Sequence, residues 1–226
     1  MKLLSLKITS DFRNLKGVNL QFDPANDTYV IIGNNGTGKT NILEALSSVF
    51  SVLLAHSQDF LFSFVLRYNI GDVEYWVRHK IDTKTTEYKK NNEVVNEAGM
   101  TYPNRIVCNY SGEDTRMWNN YYKKPNEDYM NSVRTAAAPD VLSMVYIDKT
   151  MWKYVLLCML TTRNMNVAFD RFLKEKLHIA SDGINTVEMK LDEAKLRRWR
   201  AENQITLFLN QLRHRPVSYT HLRAHE

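Results

Sequence analysis

The chain has only two cysteines in 226 residues. Cys108 and Cys158 each lie in an apolar run without a ligand-spaced neighbour, which excludes a disulfide framework and a thiolate metal site and reads as buried, reduced thiols. No stretch reaches the roughly 18 uncharged apolar residues that a membrane-spanning helix needs. The opening Met1-Lys2-Leu3-Leu4-Ser5-Leu6-Lys7-Ile8 alternates like a strand and places a second lysine where a secretory signal would stay apolar. The expectation is a cytoplasmic protein with no membrane partner. Charge of one sign is in short supply too: the net charge of +5 and the pI near 9.1 are spread along the chain, compatible with a nucleic-acid partner and equally with an ordinary solvated surface. Half of the histidines, His214, His221 and His225, fall at the C-terminal end, so they support no metal argument.

What is present is the composition of a globular protein, 44% hydrophobic and 24% charged, and one dominant motif. Gly33-Asn34-Asn35-Gly36-Thr37-Gly38-Lys39-Thr40 fits G-x-x-x-x-G-K-[ST] and directly follows the apolar run Tyr29-Val30-Ile31-Ile32. Four fixed positions would match by chance in about one chain in a hundred of this length, and the strand, loop and helix order narrows that further. A strand delivers the chain, the glycines let backbone N–H groups turn inward, and a helix beginning at Lys39-Thr40-Asn41 points its positive end at the same place. A polyphosphate fits that geometry. Lys39 would reach the β- and γ-phosphates, and the Thr40 hydroxyl would ligate the Mg2+ bridging them. The expected nucleotide-binding residues are Gly33, Asn34, Asn35, Gly36, Thr37, Gly38, Lys39, Thr40 and Asn41, with Mg2+ beside the nucleotide and Thr40 as the metal ligand.

In chain order, Lys2 to Thr9 and Val18 to Phe22 read as strands, and Thr28 to Ile32 reads as a strand buried on both faces. The first helix runs from about Lys39 to Leu54. Leu61 to Asn69 and Val73 to Ile81 form a hairpin around Ile70-Gly71-Asp72, and Thr85 to Lys90 turns at Asn91-Asn92 into Glu93-Val94-Val95. The tyrosines of this meander and Trp76 are candidates to stack a base, although aromatics on strands more often pack. Arg105 to Tyr110 is a strand. A helix from Met117 stops near Pro125, Met144 to Ile147 is a strand, residues 151 to 177 form two helical stretches split near Thr161 to Asn164, Asn185 to Leu191 is a further strand candidate, and Asp192 to Leu212 is helical. The cluster Lys195-Leu196-Arg197-Arg198-Trp199-Arg200 reads as a solvated helix face, with DNA contact as the alternative.

"LKITSDFRNLKGVNLQF" followed by "YVIIGNNGTGKTNILEAL" resembles the N-terminal lobe of RecF/SMC-type ABC ATPase heads, the AAA-type and RecF/RecN/SMC N-terminal ATPases, closely over residues 1 to 50. The resemblance implies an α/β P-loop NTPase fold: a mixed sheet around the loop strand, an antiparallel β-meander and a following helical region. It implies a lobe over residues 1–115 and a helical continuation over 116–215. It also implies ATP binding and hydrolysis coupled to DNA repair or restriction, with DNA as partner, and a head-to-head homodimer or restriction-system partner. "YSGE…W…YY" stretches similar to that at Tyr110 to Tyr122 occur in ATPases beside restriction systems. In such heads a strand ends in a Ser-x-Glu-Asp corner near the γ-phosphate, which makes Glu113 and Asp114 candidate catalytic carboxylates; helix capping is the alternative reading. Arg13, in the Phe12-Arg13-Asn14 element, is a candidate contact to the nucleotide or the loop, or a surface arginine on a turn. Met144-Val145-Tyr146-Ile147-Asp148 has the outline of a Walker B strand, but Lys149 stands where a glutamate is expected, so Asp148 reads as a helix cap ahead of a catalytic acid. "PVSYTHLRAHE", residues 216–226, resembles translated adaptor sequence, with the natural protein expected to continue beyond Arg215. The expected behaviour is ATP binding with little hydrolysis. The rival functions are a P-loop kinase or phosphotransferase, and a nucleotide-gated interaction module without catalysis.

Overall fold

A computed structural model describes residues 1–110, 115–149, 151–179, 192, 194, 199 and 201–214. They fall into two compact units, one built from the described residues of Met1–Val107, Asp114–Pro125 and Ser143–Val145, the other from the rest.

The first unit is a six-stranded antiparallel sheet with one helix on its inner face. β1 (Lys2–Ile8) pairs on one side with β2 (Asn19–Gln21) and on the other with β3 (Phe64–Ile70), and β4 (Val73–Lys80), β5 (Thr85–Lys90) and β6 (Glu93–Val95) continue the meander. Two short turns fix the register. Gly71 takes φ 59, and Asn91 and Asn92 take φ 48 and 68, the left-handed backbone that a two-residue hairpin loop requires. The Asn91 side chain also accepts the Glu74 N–H at 2.9 Å.

Alternation along these strands decides the core. Leu6, Ile8, Phe64, Leu66, Tyr68, Tyr75, Val77, His79 and Tyr88 point inward and are buried. Against them lies α1 (Lys39–Leu54), whose buried residues Ile42, Ala45, Val49, Phe50 and Leu53 recur at the spacing of one helix face. Tyr68 meets Phe50 edge-on and stacks on Tyr75, and its hydroxyl donates to the Thr101 carbonyl at 2.8 Å. Burial pushes the Tyr68 phenol well above its usual value, with Tyr102 and Tyr75 adding to it. These tyrosines are therefore structural. Trp76 faces the other way, with the Lys89 ammonium 4.9 Å from its ring centroid.

The run expected to be a strand buried on both faces is neither. Tyr29 is anchored, its hydroxyl donating to the carbonyls of Asp23 and Asn26 at 2.6 and 3.0 Å, but Thr28 to Ile32 joins no ladder, and Val30 and Ile32 are 77% and 89% exposed. The described sheet is accordingly antiparallel, not mixed about this run. The physical reason is pairing: β1 spends both edges on β2 and β3, and an apolar run without a neighbouring strand has no partner for its backbone groups.

The expected stop at Pro125 is also absent. A π-helical turn over Trp118–Tyr122 leads directly into α2 (Lys123–Thr135), and the Lys123 N–H reaches back to the Trp118 carbonyl. The wider turn lets the helix pass a proline that has no N–H to give and whose ring crowds the turn before it. β7 (Ile106–Asn109) pairs with β8 (Met144–Ile147) in a separate two-stranded sheet.

The second unit contains α3 (Trp152–Thr162), α4 (Val167–Glu175) and α5 (Gln204–His214). The break between α3 and α4 falls where expected; a short 3-10 turn, Arg163–Met165, separates them, and Asn166 caps α4 by accepting the Ala168 N–H at 3.0 Å. On α4, Leu173 is fully buried, whereas Phe172 is 37% exposed. Buried Asn203 ties α5 to the end of α2, donating to the Val133 and Ala136 carbonyls at 2.7 and 2.9 Å while accepting the Thr206 N–H at 3.0 Å. Cys108 is half-buried and Cys158 exposed, so they are not the buried pair expected.

Candidate functional site

Gly33 to Thr40 forms an exposed loop that ends on the first turn of α1. Gly38 is the N-cap, with φ 91, and Gly36 has φ 84. A Cβ on Gly38 would lie 2.8 Å from both Asn14 Oδ1 and Leu15 Cδ2, whereas one on Gly36 would meet nothing within 4 Å. Gly38 is therefore fixed by both backbone conformation and space. The Thr37 hydroxyl donates to the Asn34 carbonyl at 2.9 Å, and Lys39 Nζ curls over the loop to the carbonyls of Gly33 and Asn34 at 2.6 and 2.7 Å. Among the described residues, the N–H groups of Asn35, Gly36 and Gly38 donate to no backbone carbonyl. Unspent donors, an ammonium and the positive end of a 16-residue helix thus lie together, a combination that fits an anionic ligand.

The loop is strapped from outside by a turn. Phe12 and Leu15 exchange reciprocal backbone hydrogen bonds at 3.0 and 2.8 Å, and both side chains are buried, Phe12 with its ring 4.3 Å from that of Phe62. Between them Arg13 takes φ 56, uncommon for a residue with a long side chain. Asn14 then faces the loop: its Nδ2 donates to the Gly36 carbonyl at 2.9 Å, and its Oδ1 accepts from Asn41 Nδ2 at 2.6 Å. Sequence reasoning singled out Arg13 and passed over Asn14, although Asn14 completes the same Phe-Arg-Asn element. It also placed Asn41 at the ligand, whereas here the Asn41 amide is used to hold Asn14.

Arg13 itself turns to α1. Its Nε bonds Glu44 Oε2 at 3.2 Å, and Arg116 Nε meets Glu44 Oε1 at 2.7 Å. Glu44 is 1% exposed, so a charge costly to bury is held by a guanidinium on each oxygen. The neighbouring contact is buried as well: Ser47 Oγ lies 2.9 Å from the Tyr122 hydroxyl. Burial raises the Tyr121 phenol, and the Glu44 charge adds to this while Arg13 and Arg116 oppose it. The signal in the sequence for Glu44 was its place in the Asn-Ile-Leu-Glu-Ala run of the helix, where a lone acid stands among apolar residues.

Among the described residues, the other candidates do not join this group. Glu113 and Asp114 lie outside the described residues, as do Asn185 to Leu191 and Lys195 to Arg198 of the basic cluster. Trp199 lies beside Arg134, 5.8 Å from ring centroid to guanidinium carbon. Asp148 follows β8, and its Oδ1 accepts the Met151 N–H at 3.2 Å, bracing the turn that leads into α3, whose own N-cap is Met151. No group of three or more potential metal ligands occurs among the described residues, and none of the described helices is long and apolar enough to cross a membrane.

The family described as "AAA ATPase domain" matches residues 1–208. Two proteins named "DNA replication and repair protein RecF", from Anaeromyxobacter dehalogenans strains 2CP-1 and 2CP-C, are each 54% identical to the chain over 46 residues. That alignment covers 20% of this chain and 12% of each RecF chain, so only a short part of those relatives is matched.

Proposed function

The chain belongs to the AAA ATPase domain family, and on that premise we propose that Gly33 to Thr40 is a P-loop at which the protein binds ATP with Mg2+. The observation that carries this reading is the loop geometry: Gly36 and Gly38 hold left-handed backbone while the N–H groups of Asn35, Gly36 and Gly38 remain unspent at the start of α1. Lys39 exchanges its two carbonyl contacts for the β- and γ-phosphates, a charge-assisted interaction stronger than the one it leaves. Thr40 offers its hydroxyl to the metal, which when bound neutralises phosphate charge. Asn14, with Asn41, ties the loop to the Phe12–Leu15 turn, and Arg13, the residue before Asn14, contacts the bound nucleotide or the loop.

The wider role proposed is that of a RecF/SMC-like ATPase head. In it, residues 1–115 form the nucleotide-binding lobe and residues 116–215 a helical continuation, ATP binding and hydrolysis are coupled to DNA repair or restriction, and two heads meet as a dimer. The support for DNA is that the partly matched relatives are DNA replication and repair proteins by name. The test is titration with labelled ATP and Mg2+ of the chain and of Lys39→Ala. Loss of one charge-assisted phosphate contact, roughly 1.5–3 kcal/mol, weakens binding at least tenfold. Equal affinity of the two proteins would remove the loop from the site.

A further inference from the structure

Among the described residues Glu44 is the only buried carboxylate, and it carries two cations where one would neutralise it. The Arg13 and Arg116 side chains each keep over a third of their surface exposed, 37% and 38%. Arg116 Nε itself is buried, but both side chains reach solvent. The Arg116 contact is the shorter, 2.7 Å against 3.2 Å for Arg13. Arg13 sits on a turn held at φ 56, next to the Asn14 that grips Gly36. A left-handed arginine is a strained choice, and such strain persists where the direction of a side chain matters. One cation is therefore surplus to Glu44, and it is the one attached to the loop's strap.

We propose that Glu44 and Arg116 are positioning residues for Arg13. Without nucleotide, Glu44 parks Arg13 against α1. When a polyphosphate enters, Arg13 moves to it, and Arg116 stays to neutralise Glu44, so that the transfer strands no buried charge. With a single arginine on Glu44 the same movement would leave an unpaired buried carboxylate, the costly outcome for any buried ion pair. Removing Arg116 therefore locks Arg13 in place. The reverse coupling follows by linkage: with Arg13 gone, the carboxylate is carried by Arg116 alone, and the segment from Arg116 to Tyr122, bonded to α1 also through Ser47, is held more firmly in the loaded state. This inference rests on the P-loop reading of Gly33 to Thr40.

The experiment measures MgATP affinity of the 226-residue chain by calorimetry for the wild type, Lys39→Ala, Arg116→Met, Arg116→Lys and the double variant Glu44→Gln/Arg116→Met. Arg116→Met weakens binding about fivefold to tenfold, roughly 1–1.4 kcal/mol, because Glu44 now retains Arg13. Adding Glu44→Gln frees Arg13 and returns affinity to within about twofold of wild type, and Arg116→Lys recovers most of the loss. If these side chains served only to hold the fold, the double variant would bind no better than Arg116→Met. That result, or wild-type affinity in Arg116→Met, overturns the proposal. Hydrogen exchange of the wild type keeps it falsifiable if a variant fails to fold: the amides of residues 116–122 gain protection on MgATP binding, and unchanged exchange refutes the coupling. Lys39→Ala separates the two readings. Wild-type affinity in that variant removes the P-loop assignment and this inference with it, whereas loss of binding there combined with no rescue in the double variant removes this inference alone.

Discussion

Gly38→Ala and Gly36→Ala form a matched pair that tests the geometry of the loop. Both glycines hold positive φ, 91 and 84, so an alanine at either one incurs the strain of left-handed backbone, about 1–2 kcal/mol. Each replacement also stiffens the unfolded chain, which returns about 0.4–1 kcal/mol. The sites differ in space. At Gly36 the new methyl meets nothing within 4 Å; at Gly38 it falls 2.8 Å from Asn14 Oδ1 and Leu15 Cδ2, and Leu15 is buried. Overpacking of that kind costs about 1–3 kcal/mol. Gly36→Ala therefore lowers stability by about 0.5–1.5 kcal/mol and Gly38→Ala by about 2–4 kcal/mol. With a urea m-value of roughly 2 kcal/mol/M, their midpoints separate by about 1 M. The ATP titration should follow the same order, because displacing Asn14 releases the Gly36 carbonyl that it holds. Coincident urea midpoints for the two variants would show that the turn does not approach the loop as described, and the account of Asn14 as a strap would fall with it.

Acid lability has a specific source in His79, which is buried against Phe60 and Phe64 with Nδ1 3.0 Å from Thr86 Oγ1. Desolvation lowers its pKa below the ordinary 6.5, so the unfolded chain binds the proton more readily. The stability that neutral His79 contributes is complete above pH 6.5 and is lost as pH falls from there toward the lowered folded value. Thermal melts from pH 7.5 to 5 should show a shallower acid slope in His79→Phe than in wild type, and parallel slopes would refute this. Tyr122→Phe leaves the buried Ser47 hydroxyl unpaired and costs about 1–2 kcal/mol, most of which returns in Tyr122→Phe/Ser47→Ala, as a denaturation cycle would reveal. Asp148→Ala removes the side-chain contact to the Met151 N–H in the turn before α3 and lowers stability by about 0.5–1.5 kcal/mol with no change in steady-state ATP turnover; a turnover loss of a hundredfold or more would promote Asp148 to a catalytic carboxylate.

Much of the first unit was legible in the chain because its determinants are local. Period-two alternation set the faces of β1, β3, β4 and β5, Gly71 and Asn91-Asn92 set the hairpins, and α1 begins and ends at the residues expected. The candidate loop could be read from its spacing alone, since glycine conformations and a helix start are properties of a few consecutive residues. Where the reading erred, the deciding term came from elsewhere in the chain. Val30 and Ile32 have the composition of a buried strand, but composition does not supply a neighbouring strand, and β1 had already paired with β2 and β3. Pro125 looked like a stop because a helix rule was applied to it singly, whereas the preceding π-turn changes which carbonyl its ring must clear.

The sequence by itself determined that a glycine-rich loop stands at residues 33–40, at the head of a helix, beside a meander. Only the tertiary structure decided what holds that loop. Asn14 and Gly36 are 22 residues apart, Arg13 and Glu44 are 31 apart, and Ser47 and Tyr122 are 75 apart. No periodicity links such pairs. A charge on the buried side of α1 reads in sequence as a misplaced glutamate; it becomes tolerable, and informative, only when folding brings a guanidinium to each of its oxygens, because the cost of burying a carboxylate depends on partners that the linear chain does not identify.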